Sequence, residues 1–400
     1  MRIDDSYGTL TGVLSTSRKK YLTMANETSG QSQDELIGYD QLDAFKRQAT
    51  KAGLDTTHVL EDSGVEELTW TRGESCYVLD HGDFYSGHVI EGLGTKNRVV
   101  EQLIELTRMS SGTDFPRNGY SHIARDTIAM IVNDLITLGI PPMVIGMHLA
   151  VGDSAWFEDE VAVECLVSGW QSGCHDSGAV WGFGETPTLR EIVEPGTIEI
   201  SGSATGFLHD RDMLVNPANI QPDDVIVGLA SSGVHANGLT KAREIANATG
   251  FYATMPGAAR QFGAALTDPT VNYVPFLRAC QKIGLRWSYG VNVTGHGWRK
   301  IMRYAGADFT YVIQKVPSPQ PVFKHIAQHG EIDVREMYAT YNMGVGFIVI
   351  VRPNAINSTL EVAQECGMDA MLLGHVKEGP RRVIIEPLDI VYWAEELKVR

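Results

Sequence analysis

Positive charge, cysteine and long apolar runs are what this 400-residue sequence has little of. Its 33 lysines and arginines stand against 49 aspartates and glutamates, for a formal net charge of −16. Nucleic acids and anionic membranes both require a basic surface, so neither is an expected partner. A phosphorylated ligand would also be repelled overall. Any phosphate site must therefore be local, built from glycine-loop amides, helix N-termini, a few cations and divalent metal. The five cysteines, Cys76, Cys165, Cys174, Cys280 and Cys366, are odd in number and include no Cys-X-X-Cys pair. That argues against a disulfide framework or a zinc site and for a reducing, cytoplasmic setting. The first residues lack an apolar signal core, and no later run is long enough to span a bilayer, so a soluble protein is expected.

Apolar side chains make up 43% of the chain and charged ones 20%, a globular composition. At about 150 residues per domain the length fits two. Residues 1–35 are rich in Ser, Thr, Lys and Gln without periodicity, and read as an extension, partly disordered or wrapped on a partner. A first domain is expected over 36–208, with helical spacing at 42–52, 97–109, 124–138 and 158–174. Its strands are expected at 76–79, at a segment ending at Ile90, and at 197–208. The stretch 209–224 holds two prolines and several Asp and Asn, and reads as the connection. A second domain over 222–390 repeats the strand-loop-helix grammar without a convincing sequence repeat. Both halves are expected to be mixed α/β.

The sequence Glu91-Gly92-Leu93-Gly94-Thr95-Lys96 joins a strand to a helix. Its glycines permit a tight turn and close backbone approach to a ligand, while Glu91 could hold a cation and Lys96 could meet a phosphate. Taken alone, the same pattern reads first as a strand-to-helix turn with solvated charges. The helix over 124–138 is apolar almost all round, yet contains Asp126, Asn133 and Asp134. Residues seven apart return nearly to one face, aligning Asp126 with Asn133 and leaving Asp134 roughly 80° round. Desolvating an unpaired carboxylate costs several kcal/mol, so these groups need a positive partner. A metal would serve, and so would a distant arginine.

Gly184 and Glu185 follow another apolar strand. In the second half, Ser-Ser-Gly-Val-His-Ala-Asn-Gly at 231–238 lies between a strand and a helix starting at Leu239, and its small residues suit an anion cradle. Residues 292–297, Asn-Val-Thr-Gly-His-Gly, precede a further helix, and Met-Gly-Val-Gly at 343–346 enters a strand.

Taken in order, Glu-Gly-Leu-Gly-Thr-Lys at 91–96, Ile-Ala-Met-Ile-Val-Asn-Asp-Leu at 128–135, Gly-Glu-Thr at 184–186, the 231–238 loop, Asp-Pro-Thr at 268–270, Val-Thr-Gly at 293–295 and Glu-Met-Tyr-Ala-Thr-Tyr-Asn-Met-Gly-Val-Gly at 336–346 carry a resemblance. The chain resembles the aminoimidazole ribonucleotide synthetase family, also called phosphoribosylformylglycinamidine cyclo-ligases, from about residue 37 to 386. The resemblance implies a two-domain fold whose first domain dimerises into a β-barrel between subunits. It also implies ATP and Mg2+ in a cleft, a phosphorylated ribonucleotide substrate and a place in purine biosynthesis. By motif position it implies that Glu91, Asp134, Glu185 and Asp40 hold metal. Gly92, Gly94, Thr95, Lys96, Asn133 and Gly184 would surround the nucleotide. Lys96, His235 and Asn237 would serve catalysis, although His235 could also simply cap its loop.

The family motifs are not reproduced throughout. Glu91 stands where the family has aspartate, Glu35 near a family lysine, Asn292 where it has histidine, His296 where it has glycine, and Ala339 where it has arginine. These departures bear on the acceptor more than on the nucleotide. The alternatives are another ATP-dependent enzyme of the superfamily, such as formylglycinamidine ribonucleotide synthetase, selenophosphate synthetase, thiamine-monophosphate kinase or the hydrogenase maturation factor, or a nucleotide-binding paralogue without turnover.

Overall fold

The computed structural model of the chain describes residues 39–111 and 118–397. The extension 1–35, Glu35 with it, lies outside the described residues, as does the side chain of Asp40. The features that follow belong to the compact unit Asp43–Arg400, into which the first helix runs.

The first half contains α1 (Tyr39–Leu54), β1 (Glu66–Glu67), β2 (Tyr77–Asp80), β3 (Tyr85–Gly92), α2 (Lys96–Ser111), α3 (Asn118–Leu135), β4 (Pro142–Val151), α4 (Glu160–Asp176), β5 (Val180–Glu185) and β6 (Ile198–Leu208). The second half contains β7 (Val225–Ala230), α5 (Leu239–Thr249), α6 (Phe262–Leu266), α7 (Val274–Lys282), β8 (Tyr289–Asn292), β9 (Phe309–Ile313), α8 (Pro321–Gly330), α9 (Val334–Thr340), β10 (Val345–Val351), α10 (Ile356–Glu365), β11 (Ala370–Glu378), β12 (Arg382–Ile385) and β13 (Ile390–Trp393). Among the described residues the strands form a six-stranded sheet, ordered β1-β2-β3-β6-β4-β5, and a seven-stranded sheet, ordered β13-β12-β9-β11-β7-β10-β8. Both are mainly antiparallel, with parallel pairs at β4–β5 and β9–β12.

In β6, Ile198, Ile200, Ala204 and Leu208 are buried and alternate with the half-exposed Glu199, Ser201, Ser203 and Thr205. This period of two gives the first sheet one core face, which α3 and α4 cover. The opposite face is open: Ile90 is 80% exposed, and Phe183 on the edge strand β5 is 58% exposed. Helix α3 is buried on nearly every side, because it lies between that sheet and the second half. A short 3-10 turn (Ile136–Leu138) extends it, and Gly139 stops it in the left-handed conformation, φ 78°. A side chain there would meet the Met213 carbonyl at 2.6 Å.

The core is continuous across the seam between halves. Val132 and Leu135 of α3 share a cluster with Val227, Tyr273 and Phe347, and Val99 and Leu103 of α2 join the second-half cluster. One local expectation is corrected: the strand expected to end at Ile90 runs to Gly92, so Glu91 is held by the β3–β6 ladder opposite Gly202.

Candidate active site

Helix α3 carries polar groups toward two places along the seam. Near its middle, Asp126 is fully buried and lies 2.8 Å from the ammonium of Lys96, which is itself 0% exposed. Lys96 also donates to the Asp268 carbonyl at 2.6 Å, while Asp126 accepts from the backbone N–H of Thr270 at 2.7 Å. Asn133, seven residues on, accepts from the Tyr273 N–H at 2.9 Å and donates to the Val271 carbonyl at 2.8 Å. The face shared by Asp126 and Asn133 thus clamps the 268–273 segment, and the positive partner of Asp126 is a lysine.

His235 belongs to this first cluster. It sits at φ 58° and is 1% exposed. Its Nε2 accepts from the Ser232 N–H at 3.3 Å, and its Nδ1 is buried without a partner. Burial, helped by the charge of Lys96, pushes its pKa down to about 3, so the ring is neutral. A side chain at position 346 would lie 2.4 Å from His235 and 2.1 Å from the Tyr273 hydroxyl, which is why glycine stands there. Asn237 reaches back to the sulfur of Met130 on α3 at 4.0 Å, and the hydroxyls of Thr95 and Thr240 meet at 3.3 Å. The 91–96 loop therefore meets the first turn of α5, and the 231–238 loop meets α3, across the seam.

The second place lies at the C-terminal end of α3. Glu91 shares the helix-covered sheet face with Gly202, and its carboxyl hydrogen-bonds that of Asp134. Burial first, and then Asp134, raise the Glu91 pKa to about 7. Asp134 accepts from Asn292 Nδ2 at 2.7 Å, and the Lys300 ammonium lies 4.0 Å from it while donating to Thr294 Oγ1. Burial lowers the Lys300 pKa, and Asp134 opposes that shift. Arg303 Nε donates to the Gly73 carbonyl at 2.8 Å, and Tyr289 donates its hydroxyl to Glu74 at 3.0 Å. Above this cluster opens a cleft of about 360 Å³, lined by Glu74, Ser75, His88, Glu91, Asp134 and Arg303 among others; Lys96 is not part of its lining.

The expected site residues thus separate into groups. Glu91 and Asp134 come together; Thr95, Lys96, His235 and Asn237 gather on the other side of α3. Gly92 and Gly94 stay exposed at the mouth of their loop. Gly184 and Glu185 do not join either group: Glu185 is in register with His148, which pairs with Ser201 on the open sheet face, opposite the face that carries Glu91. Sequence reading missed Glu74, Lys300 and Arg303. The available signal was three cations, Arg299, Lys300 and Arg303, in and just after the turn that follows Val-Thr-Gly, in a chain short of positive charge.

The donor set can be tested against a divalent ion. Mg2+ is ordinarily held by one or two carboxylates, with substrate phosphates and water completing the octahedron, and Glu91 with Asp134 fits that role. No group of three or more His, Cys, Asp or Glu able to hold a metal ion is found among the described residues.

Residues 101–208 match the family described as AIR synthase related protein, N-terminal domain, and residues 221–386 match its C-terminal domain. The phosphoribosylformylglycinamidine cyclo-ligase of Clostridium kluyveri is 33% identical over 299 residues, covering 74% of this chain and 82% of that one. The protein of the same name from Methanocaldococcus jannaschii is 29% identical over 346 residues, covering 81% and 91%. Among solved structures, a chain of the HypE-HypF complex superposes with a TM-score of 0.55 at 16% identity, covering 80% of this chain and 92% of that one. AaThiL complexed with AMPPCP and TMP gives 0.53 at 13% identity, covering 80% and 89%. Those two likenesses show the fold.

Proposed function

The chain belongs to the phosphoribosylformylglycinamidine cyclo-ligase family, and from that premise we propose that it is an ATP-dependent ligase converting formylglycinamidine ribonucleotide to aminoimidazole ribonucleotide in purine biosynthesis. In this reading ATP transfers its terminal phosphoryl group to the formyl oxygen. The amidine nitrogen then attacks the carbon of that iminophosphate, closing the imidazole ring and releasing phosphate. The observation that carries the reading is the 33% identity over 299 residues, which spans 82% of a named cyclo-ligase.

Such chemistry asks for positioning and charge neutralisation rather than a strong nucleophile from the protein. We assign the phosphates to the 91–96 loop, where the exposed Gly92 and Gly94 leave the backbone accessible and Thr95 abuts the second half. Glu91 and Asp134 would hold Mg2+, which when bound neutralises and orients the phosphates. Asn133 acts by fixing the 271–273 segment. Lys96, together with its partner Asp126, fixes the adjoining 268–270 segment and sets a positive charge beside His235. His235, neutral and with an unpartnered Nδ1, has one hydrogen bond to offer a substrate, and Asn237 lies two residues on in the same loop. Asp40 is assigned to the metal by its motif alone.

Gly184, in register with Met147 and through it with Gly202, lies on the Glu91 side of the sheet, whereas Glu185 faces away, so that Glu185 can reach a nucleotide cleft only if a second copy covers the open face. That supports a homodimer. AaThiL, of the same fold, was solved with AMPPCP, which supports a nucleotide ligand here. No described helix is long and apolar enough to cross a membrane, and we place the enzyme in the cytoplasm.

The departures at Asn292, His296 and Ala339 favour, as a second reading, a different acceptor on the same ATP-dependent scaffold, or nucleotide binding without turnover. One assay separates them: the pure protein is incubated with ATP, Mg2+ and formylglycinamidine ribonucleotide, and ADP and aminoimidazole ribonucleotide are measured. Stoichiometric formation of both is the expected outcome. ADP release that ignores the ribonucleotide, or ATP binding without turnover, would overturn the cyclo-ligase reading.

A further inference from the structure

Lys300 lies in the turn Gly297–Met302, every residue of which is buried. Its ammonium is held between Thr294 Oγ1 and the Asp134 carboxylate, 4.0 Å away, and it also acts on Glu91. Its stem is buried and its ammonium has two oxygen neighbours, so it stays beside the carboxylates unless a stronger acceptor draws it away. Asn292 donates to the same Asp134 oxygen at 2.7 Å, and its own Oδ1 is buried without a partner. The cluster thus already contains a cation, together with an acceptor still available to a further donor.

Taking Glu91 and Asp134 as the metal-nucleotide site proposed above, we propose that Lys300 is a built-in counter-ion that keeps free divalent metal out of this pair and makes metal entry depend on the nucleotide that brings it. The electrostatics run one way. Glu91, Asp134 and Glu74 facing Lys300 and Arg303 leave at most about one net negative charge for an incoming divalent ion, which must also approach a like charge at close range in a poorly screened site. A nucleotide triphosphate adds several negative charges at once. Lys300 can then turn to a phosphate oxygen while the carboxylates take the metal, a second role that follows from its flexible stem and three donors.

The test uses Mn2+ as the probe, followed by its free-ion electron paramagnetic resonance signal in titrations of the full-length protein. Without nucleotide, Lys300→Met and Lys300→Gln are expected to bind Mn2+ at least tenfold more tightly than the wild type, and Lys300→Arg to behave like the wild type. Adding Glu91→Gln to Lys300→Met should abolish the gain. Equal Mn2+ affinity in wild type and both neutral variants overturns the proposal. Should neither neutral variant fold by circular dichroism, the wild type alone decides: a non-hydrolysable ATP analogue must raise Mn2+ affinity more than tenfold, and no change overturns it. Calorimetry of ATP with Mg2+ on the wild type keeps the two ideas apart. An absence of nucleotide binding defeats the assignment of the site, whereas normal nucleotide binding with unchanged Mn2+ affinities defeats the role of Lys300 alone.

Discussion

His235 shows what burial does to a titratable residue in this molecule. Its ordinary pKa of 6.5 falls to about 3 because the ring is desolvated and faces Lys96. The unfolded chain therefore binds a proton near pH 6.5 that the folded chain refuses until far lower. Stability from this group is complete above pH 6.5 and is lost as pH falls toward 3. Between pH 6.5 and 5 the loss amounts to about 2 kcal/mol. Glu91 and Glu101, both raised to about 7 by burial, act in the opposite sense, so the wild-type profile alone mixes the terms. His235→Asn isolates the histidine, since asparagine tolerates the left-handed backbone at this position. Urea denaturation is expected to give a shallower fall in stability for the variant between pH 6.5 and 5. Parallel profiles would mean that the native ring takes up its proton at the ordinary pH. At this scale the sequence was legible only in part. The need of Asp126 for a cation could be read from an apolar helix, but its partner Lys96 is a long-range neighbour, and helical periodicity says nothing about what lies across a seam.

Elements were far more legible than contacts. The strand at Val225–Ala230 and the helix beginning at Leu239 stand as read, because alternation and a small-residue loop mark their ends. The face on which a strand residue lies was not legible where register decides it: Glu91 and Glu185 look alike as glycine-flanked carboxylates, yet pairing sends them to opposite sides of one sheet. Strand β8 shows how an element links fold to site. Gly290 packs on the backbone of Thr137, where an added Cβ would lie 2.6 Å from its carbonyl oxygen. Two residues on, and so on the same strand face, Asn292 holds Asp134. Gly290→Ala must push β8 off the end of α3, with an expected cost of about 1–3 kcal/mol. The same shift should weaken ATP binding in calorimetry, because Asn292 moves with the strand. A variant as stable as the wild type would show that the seam is soft rather than close-packed.

For the molecule as a whole, the open face of the first sheet is the feature with the largest consequence. Single exposed apolar side chains are ordinary, but here Ile90 is 80% exposed and Phe183 58% exposed on the uncovered side of a sheet. Strand β5 adds an exposed edge whose backbone groups are available for pairing. The other side of that sheet is covered by α3 and α4, so a single copy of the described fold leaves the open side without a counterpart. A second copy apposing its own open face would cover both at once, as expected of a closed two-fold interface. It would also bring Glu185 of one copy toward the nucleotide loop of the other. Light scattering is expected to give a mass near twice that of the chain, and the double substitution Ile90→Glu, Phe183→Glu to halve it by placing charges on an apolar interface. Because Glu91 and Asp134 lie on the other face, the monomer should keep the Mn2+ behaviour of its Lys300 site while losing ligase activity. A wild type that is already monomeric and fully active would sink the dimer, and with it any part for Glu185 in the cleft.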